Sequence, residues 1–158
     1  MNSYFVKDSC WNTFSFPLSD LTEHQARVLK AAGLDRINHN LNTSRRFYPE
    51  ICSTHTYERR IQNIQMLQRV GFEICCGGII GMGESKEDVV DMLLDLVAIN
   101  PESVPINFLL PVKGTRLAER DVSNLTFEYC MKILCLARFN PEKFLFALCH
   151  FAHFIKID

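Results

Sequence analysis

E-I-C-C-G-G-I-I-G-M-G-E, residues 73–84, is the stretch on which the reading of the fold turns. With Phe72 ahead of it, the apolar run 72–75 opens after Gly71 and closes on two glycines, the pattern of a buried parallel strand that runs into a loop. Gly77, Gly78, Gly81 and Gly83 remove four side chains within seven positions. A ligand could therefore approach the backbone closely there, and glycine tolerates φ values that other residues avoid. The same glycines would also serve a plain strand-to-helix turn, and both readings stand at this point. Ser85, with Asp88 three residues on, predicts that a helix starts immediately after the loop.

Working outward, residues 85–98 are apolar around much of a helical circumference (Val89, Val90, Met92, Leu93, Leu94, Leu96, Val97), as expected of a helix laid on a sheet with neighbours alongside. Upstream, 54–70 predicts a helix with Tyr57, Ile61, Ile64, Met66, Leu67 and Val70 on its buried side, and Arg60 in its first turns near the strand-end face. Thr22 and Gln25 form a capping box for a shorter helix that stops at Gly33. Between these helices, 34–41 reads as a strand whose far end is crowded with polar residues. Buried parallel strands are almost wholly apolar, so Asn38, His39, Asn40, Asn42 and Thr43 need polar partners, supplied either by a site or by a hydrogen-bonded turn.

Residues 103–111 form the next strand, with Asn107 as its one interior polar side chain. A buried amide left unbonded costs ~1–3 kcal/mol, so Asn107 either ties strands together or contacts a ligand. A last helix spans 126–139 and ends at Asn140-Pro141, whereas residues 1–14 show no pattern. Helices thus alternate with strands that begin near 34, 72 and 103, which specifies right-handed crossovers and a parallel sheet. Ligands of such sheets sit at the C-terminal strand ends, where Asn40, Gly77 and Asn107 all fall.

The totals agree with one globular α/β domain: 158 residues, 47% apolar and 22% charged. A net charge of −1 with mixed signs provides no basic field for nucleic acid or anionic lipid. The opening residues carry no targeting pattern and no run reaches membrane-spanning length, so the expectation is a cytoplasmic protein with neither nucleic-acid nor membrane partners. Seven cysteines are an odd number for a disulfide framework, and they read as free thiols, with Cys130 and Cys135 in a helical core. No C-x-x-C or C-x-x-x-C-x-x-C occurs, hence no complete zinc or iron–sulfur signature.

Gly77, Ile79, Gly81 and Glu84 stand in an order that resembles the G-x-I-x-G-x-x-E motif of radical S-adenosylmethionine enzymes, in which the strand end and its isoleucine form the adenine pocket. Longer words are more specific. N-H-N-L-N-T-S at 38–44, F-Y-P-E-I-C-S-T-H-T-Y at 47–57, C-C-G-G-I-I-G-M-G-E at 75–84, P-E-S-V-P-I-N-F-L at 101–109 and K-G-T at 113–115 resemble the biotin synthase family, over about residues 14–141.

The resemblance implies roughly the second half of a TIM-barrel-like (β/α)-barrel, the radical S-adenosylmethionine core. It also implies the insertion of sulfur into dethiobiotin: a [4Fe-4S] cluster reductively cleaves S-adenosylmethionine, the deoxyadenosyl radical removes hydrogen atoms, and a [2Fe-2S] cluster donates sulfur. By position, Asn40 and Asn42 lie where the family contacts ribose and substrate, Asn107 matches an asparagine on the ureido ring, and Arg60 matches an arginine near the methionyl carboxylate. Ile79, with Gly77, Gly78, Gly81 and Glu84, belongs to the nucleoside side of the cofactor site, and Cys75 matches a ligand of the two-iron cluster. An amide side chain suits a neutral urea because it donates and accepts together.

Departures accompany these matches. The family's four-iron cysteine loop would precede residue 1, and a second two-iron ligand would fall at Ser15, with Cys10 five positions away. Phe146 stands where the family has the arginine that completes that cluster, and many members have Asp at the position of Asn42. Residues 144–158 no longer resemble the family, so the chain divides into a partial barrel, 1–143, and a divergent apolar tail of the kind that a shifted reading frame or a lost terminus leaves. Cys149, His150 and His153 in that tail have no further ligands near them in sequence and are not read as a metal cluster. The expectation is that these 158 residues alone are inactive and self-associate through open barrel edges. The alternatives are a non-catalytic module that binds S-adenosylmethionine or dethiobiotin, and a decayed fragment.

Overall fold

The computed structural model describes residues 7–8, 11–14 and 21–138. Two short strands, β1 (Lys7–Asp8) and β2 (Trp11–Phe14), pair antiparallel near the start of the chain, where the sequence shows no pattern. β2 then pairs in parallel with β3 (Arg36–Asn38), and β3 with β4 (Glu73–Cys75), giving the order β1-β2-β3-β4. β4 ends at Cys75, where the sequence puts the strand end, and Cys76 and Gly77 separate it from a further strand. That strand is β5 (Gly78–Ile80), which pairs in parallel with β6 (Ile106–Phe108). Bridges from Asn42 to Gly78 and from Cys75 to Ser103 join the two sheets into one surface.

Helices follow the strands: α1 (Glu23–Ala31), the short α2 (Tyr48–Ile51), α3 (Tyr57–Val70), α4 (Lys86–Ile99) and α5 (Phe127–Arg138). The starts of α1 and α4 lie where the sequence puts them, each closed by a capping box, Thr22 with Gln25 and Ser85 with Asp88. α3 is capped by Thr56 at its start and ends on Gly71 in the left-handed region, φ +97°. α2 goes unread in the sequence because one turn opened by Pro49 carries no 3.6-residue periodicity.

One face of the sheet is buried beneath the helices. Ile37, Ile74, Ile80, Val104 and Ile106 meet Ala26, Ile64, Leu67, Met92 and Leu96 there, and each buried aliphatic side chain contributes about 1.5–3 kcal/mol by leaving water. The opposite face remains half-buried, as the alternating burial of β3, β4 and β5 records.

Two expectations about packing are corrected. Cys130 is in the core, but Cys135 is exposed. In α4, Val90, Leu94 and Val97 remain 47%, 60% and 41% exposed, so among the described residues this helix has the sheet beneath it but no neighbour over that side. Ser15, Cys10, Phe146, Cys149, His150 and His153, together with the proposed boundary at 143/144, lie outside the described residues.

Candidate functional site

Because side chains alternate along a strand, the face opposite the helices collects Arg36 and Asn38 from β3, Glu73 and Cys75 from β4, Ile79 from β5 and Asn107 from β6. Asn38 pairs with Cys75, and Ile79 with Asn107, across adjacent strands. All six are half-buried, and the Arg36–Glu73 ion pair, 2.7 Å, closes the N-terminal end of this face. Asn107 pairs with β5 through its backbone, while its side chain makes no hydrogen bond to another described residue.

The polar crowding at the end of β3 has mixed causes. Asn40 turns its Oδ1 to accept the Gly77 N–H at 3.0 Å, so half of its amide stitches strands and the NH₂ half remains. Asn42 adopts φ +71°, donates its N–H to the Gly77 carbonyl (3.1 Å) and accepts the Ile79 N–H (2.8 Å), so the chain passes from β3 to the side of β5 without a break. His39 and Ser44 are structural: His39 contacts buried Asn63 at 3.4 Å, and Ser44 donates to Asp88 at 2.6 Å.

The glycine stretch divides into two pairs. At Gly77 an added Cβ would stand 1.8 Å from the Pro105 carbonyl oxygen, and at Gly78 it would stand 2.2 Å from the Met92 sulfur. These two glycines are required by strand-on-strand and helix-on-strand contact; Gly78 opens β5, and Gly77 lies in the two-residue link before it. Gly81 and Gly83, at φ +99° and +109°, form the turn itself. Glu84 holds that turn by accepting the Gly81 N–H on Oε1 at 2.6 Å. Its other oxygen, Oε2, is buried and has no hydrogen-bond partner among the described residues. A buried acceptor left unbonded is costly, and it is satisfied by any N–H or O–H donor that enters beside the turn.

Three further features escaped the sequence reading. Asp88, in the first turn of α4, is buried and accepts from Ser44 (2.6 Å), Ser85 Oγ (2.7 Å), the Ser85 N–H (2.9 Å) and Arg46 (3.0 Å). Burial alone would raise its carboxyl, but those hydrogen bonds outweigh it and hold Asp88 well below the usual carboxylate range. Tyr57 donates to Asp95 at 2.7 Å, which ties α3 to α4. Arg60 donates Nε–H to the Tyr48 hydroxyl at 2.8 Å and Nη2–H to His55, so it belongs to a cluster around α2. Only the capping signal of Ser85 and Asp88 was visible beforehand; the partners 44 residues away were not.

The unpaired Oε2 of Glu84 fits a ligand donor at the nucleoside end of an S-adenosylmethionine site. Cys75 is a half-buried thiol on the open face, whereas burial pushes its neighbour Cys76 up to about 12, a neutral thiol unsuited to iron. Among the described residues no three His, Cys, Asp or Glu side chains cluster to hold a metal. On the open face the described residues offer one thiol, Cys75.

A parallel βα sheet with a glycine turn, a glutamate bound back onto it and an open polar face defines a class, and comparison with known proteins agrees. The radical SAM superfamily profile matches residues 6–96, and the chain belongs to that superfamily. Within it, the chain is biotin synthase-like. It is 48% identical over 122 residues to biotin synthase of Macrococcus caseolyticus (strain JCSC5402), covering 77% of this chain and 36% of that protein. To biotin synthase of Leptospira interrogans serogroup Icterohaemorrhagiae serovar Lai (strain 56601) it is 49% identical over 119 residues, 75% of this chain and 33% of the other.

The chain thus spans about a third of the length of the curated relatives it matches. Among solved structures, methylornithine synthase (PylB) superposes with TM-score 0.65 at 20% identity, over 74% of this chain and 35% of that one. Streptococcus suis SuiB superposes with TM-score 0.61 at 15% identity, over 87% and 33%. These likenesses show the fold, a partial barrel of the radical S-adenosylmethionine type. No helix among the described residues is long and apolar enough to cross a membrane.

Proposed function

We propose that this chain forms the part of a biotin synthase site that binds the nucleoside of S-adenosylmethionine and the ureido ring of dethiobiotin. The observation that carries this reading is the convergence of Cys75, Ile79 and Asn107 on one open sheet face, with Asn40 and Asn42 at the neighbouring strand end. On this reading the NH₂ group of Asn40 and the unpaired amide of Asn107 bind the urea, which needs donor and acceptor together. Asn42 and Ile79, flanked by Gly77, Gly78 and Gly81, receive ribose and adenine, and Glu84 Oε2 accepts the ligand proton it lacks. Arg60 faces the methionyl carboxylate once its bonds to Tyr48 and His55 give way.

In biotin synthesis the bound cofactors would supply a radical that removes hydrogen atoms and the sulfur atom to be inserted. The described residues contribute binding and orientation to that chemistry, with Cys75 as one iron ligand. The isolated chain is therefore a binder without turnover, and its open sheet edges favour a second copy or another chain beside it. Titration calorimetry on the purified chain tests this. S-adenosylmethionine and dethiobiotin should each bind. Asn107→Ala should weaken dethiobiotin by about tenfold, as expected for loss of ~1–2 kcal/mol of hydrogen bonding, and leave S-adenosylmethionine unchanged; Glu84→Gln should do the reverse. Equal effects of either variant on both ligands would refute the assignment.

A further inference from the structure

A strip of apolar side chains lies on the helix side of the molecule, away from the open sheet face. Val90, Leu94 and Val97 follow one another at steps of four and three along α4, and each remains between 41% and 60% exposed. α5 forms the other wall. β5 and β6 are parallel neighbours, so the helices that follow them, α4 and α5, run in parallel over one core in which Met92, Leu96, Cys130 and Ile133 take part. Their first turns are close, since burial and then the nearby carboxylates of Glu84 and Glu87 push the Tyr129 hydroxyl up. Two turns on from Glu87 and Tyr129 stand Leu94 and Leu136, the latter 57% exposed, so an apolar groove runs between the two helices.

The size of the groove decides between its possible occupants. These four side chains leave roughly 100–250 Å² of apolar surface in water, at the area that burying a Val or Leu side chain removes. A stable interface between chains takes ~800 Å² from each partner, so a second copy gains too little here. A tethered segment needs less, because its docking is intramolecular. Such a segment follows α5, which ends at Arg138. Between Lys143 and Lys156 the sequence has no Asp, Glu, Lys or Arg, and Phe144, Leu148, Phe151 and Ile155 recur at steps of four, three and four. We propose that residues 144–155 lie back along the α4–α5 groove, antiparallel to α4, with this stripe against Val97, Leu94 and Val90. The six residues from Arg138 to Phe144 reach up to ~20 Å, and packed helices stand about 8–10 Å apart, so the return is within reach. Read in that direction, the steps of three and four from Val97 to Leu94 to Val90 keep pace with those of the stripe. The same direction brings Lys156 to the end of α4 where Glu87 is exposed, which puts opposite charges together and fixes the register. No residue of the open sheet face takes part, so this cover and the binding of ligands there stand or fall separately.

The test is photo-crosslinking of the full chain with p-benzoylphenylalanine in place of Leu94, in a mixture of unlabelled and nitrogen-15-labelled chains, read by peptide mass spectrometry. Adducts should join position 94 to peptides from 144–155, and both halves of each adduct should carry the same label. Mixed-label adducts would mean that a second copy fills the groove. Mixed labels, adducts to any other stretch, or no adduct overturn the proposal. A second measurement uses Leu94→Arg, which keeps the core intact because Leu94 faces water, with folding checked by circular dichroism. Chymotrypsin should cut within 144–155 at least about fivefold faster in this variant than in wild type, since cleavage follows the population of the undocked segment. Val28→Arg, at a similarly exposed apolar position on α1, should cut at the wild-type rate. Equal cleavage of wild type and Leu94→Arg, or equal acceleration by Val28→Arg, also overturns the proposal.

Discussion

Replacing Gly77 by alanine separates two uses of a glycine that the sequence cannot tell apart, approach by a ligand and approach by another strand. The added Cβ would lie 1.8 Å from the Pro105 carbonyl oxygen and 2.8 Å from Pro105 Cδ. Restoring a van der Waals distance of about 3.5 Å requires the strands to part by roughly 1.7 Å, more than their hydrogen bonds tolerate. The bonds at risk are Gly78 N–H to the Pro105 carbonyl (3.1 Å) and Cys76 N–H to the Ser103 carbonyl (2.9 Å). Two backbone hydrogen bonds at about 1 kcal/mol each, added to an overpacking cost of ~1–3 kcal/mol, give about 3–5 kcal/mol.

With a urea slope near 2 kcal/mol per M, the unfolding midpoint of Gly77→Ala should fall by about 1.5–2.5 M, read by far-ultraviolet circular dichroism. Gly114→Ala is the control: it faces open space at φ +89°, so only backbone strain of about 1 kcal/mol applies. Gly78→Ala should fall between them, because the Met92 side-chain end that it meets can move. A Gly77→Ala midpoint within 0.3 M of wild type, with weakened S-adenosylmethionine binding, would refute the packing argument and return Gly77 to the ligand (a threshold of roughly 0.6 kcal/mol at that slope).

Two more predictions concern charge and metal. Asp88 has its carboxyl lowered on folding, so its stabilisation is fully present above the unfolded value of about 4 and is lost as pH falls below it. Wild-type stability should therefore decline from about pH 4 downward, and Asp88→Asn, which costs about 2 kcal/mol at pH 7, should show a flatter acid limb in urea melts; parallel limbs would contradict this. Anaerobic reconstitution of the chain with iron and sulfide should leave no stoichiometric cluster by iron counting and visible absorption, since among the described residues no three His, Cys, Asp or Glu side chains cluster. A stable cluster lost in Cys75→Ser would show that ligands outside the described residues complete it.

Much of the architecture is local and was therefore readable in the chain. Capping boxes at Thr22 and Ser85, the stop at Gly71 and the period of the helices each depend on residues within four positions of one another. Alternating strands and helices dictate a parallel sheet, and motifs at 38–44, 75–84 and 101–109 indicate the superfamily. Short pieces with no period, β1, β2 and α2, were not readable. Nor were the roles of particular side chains, because those depend on partners far along the chain. Asn40 meets Gly77 across 37 residues, Ser44 meets Asp88 across 44, and Pro105 decides what Gly77 is for. Composition and spacing thus specify which elements form and in what order. The choice between ligand and scaffold for a glycine or an asparagine is made only when segments 28 or more residues apart close to hydrogen-bonding distance, since van der Waals and hydrogen-bond forces act only at that range.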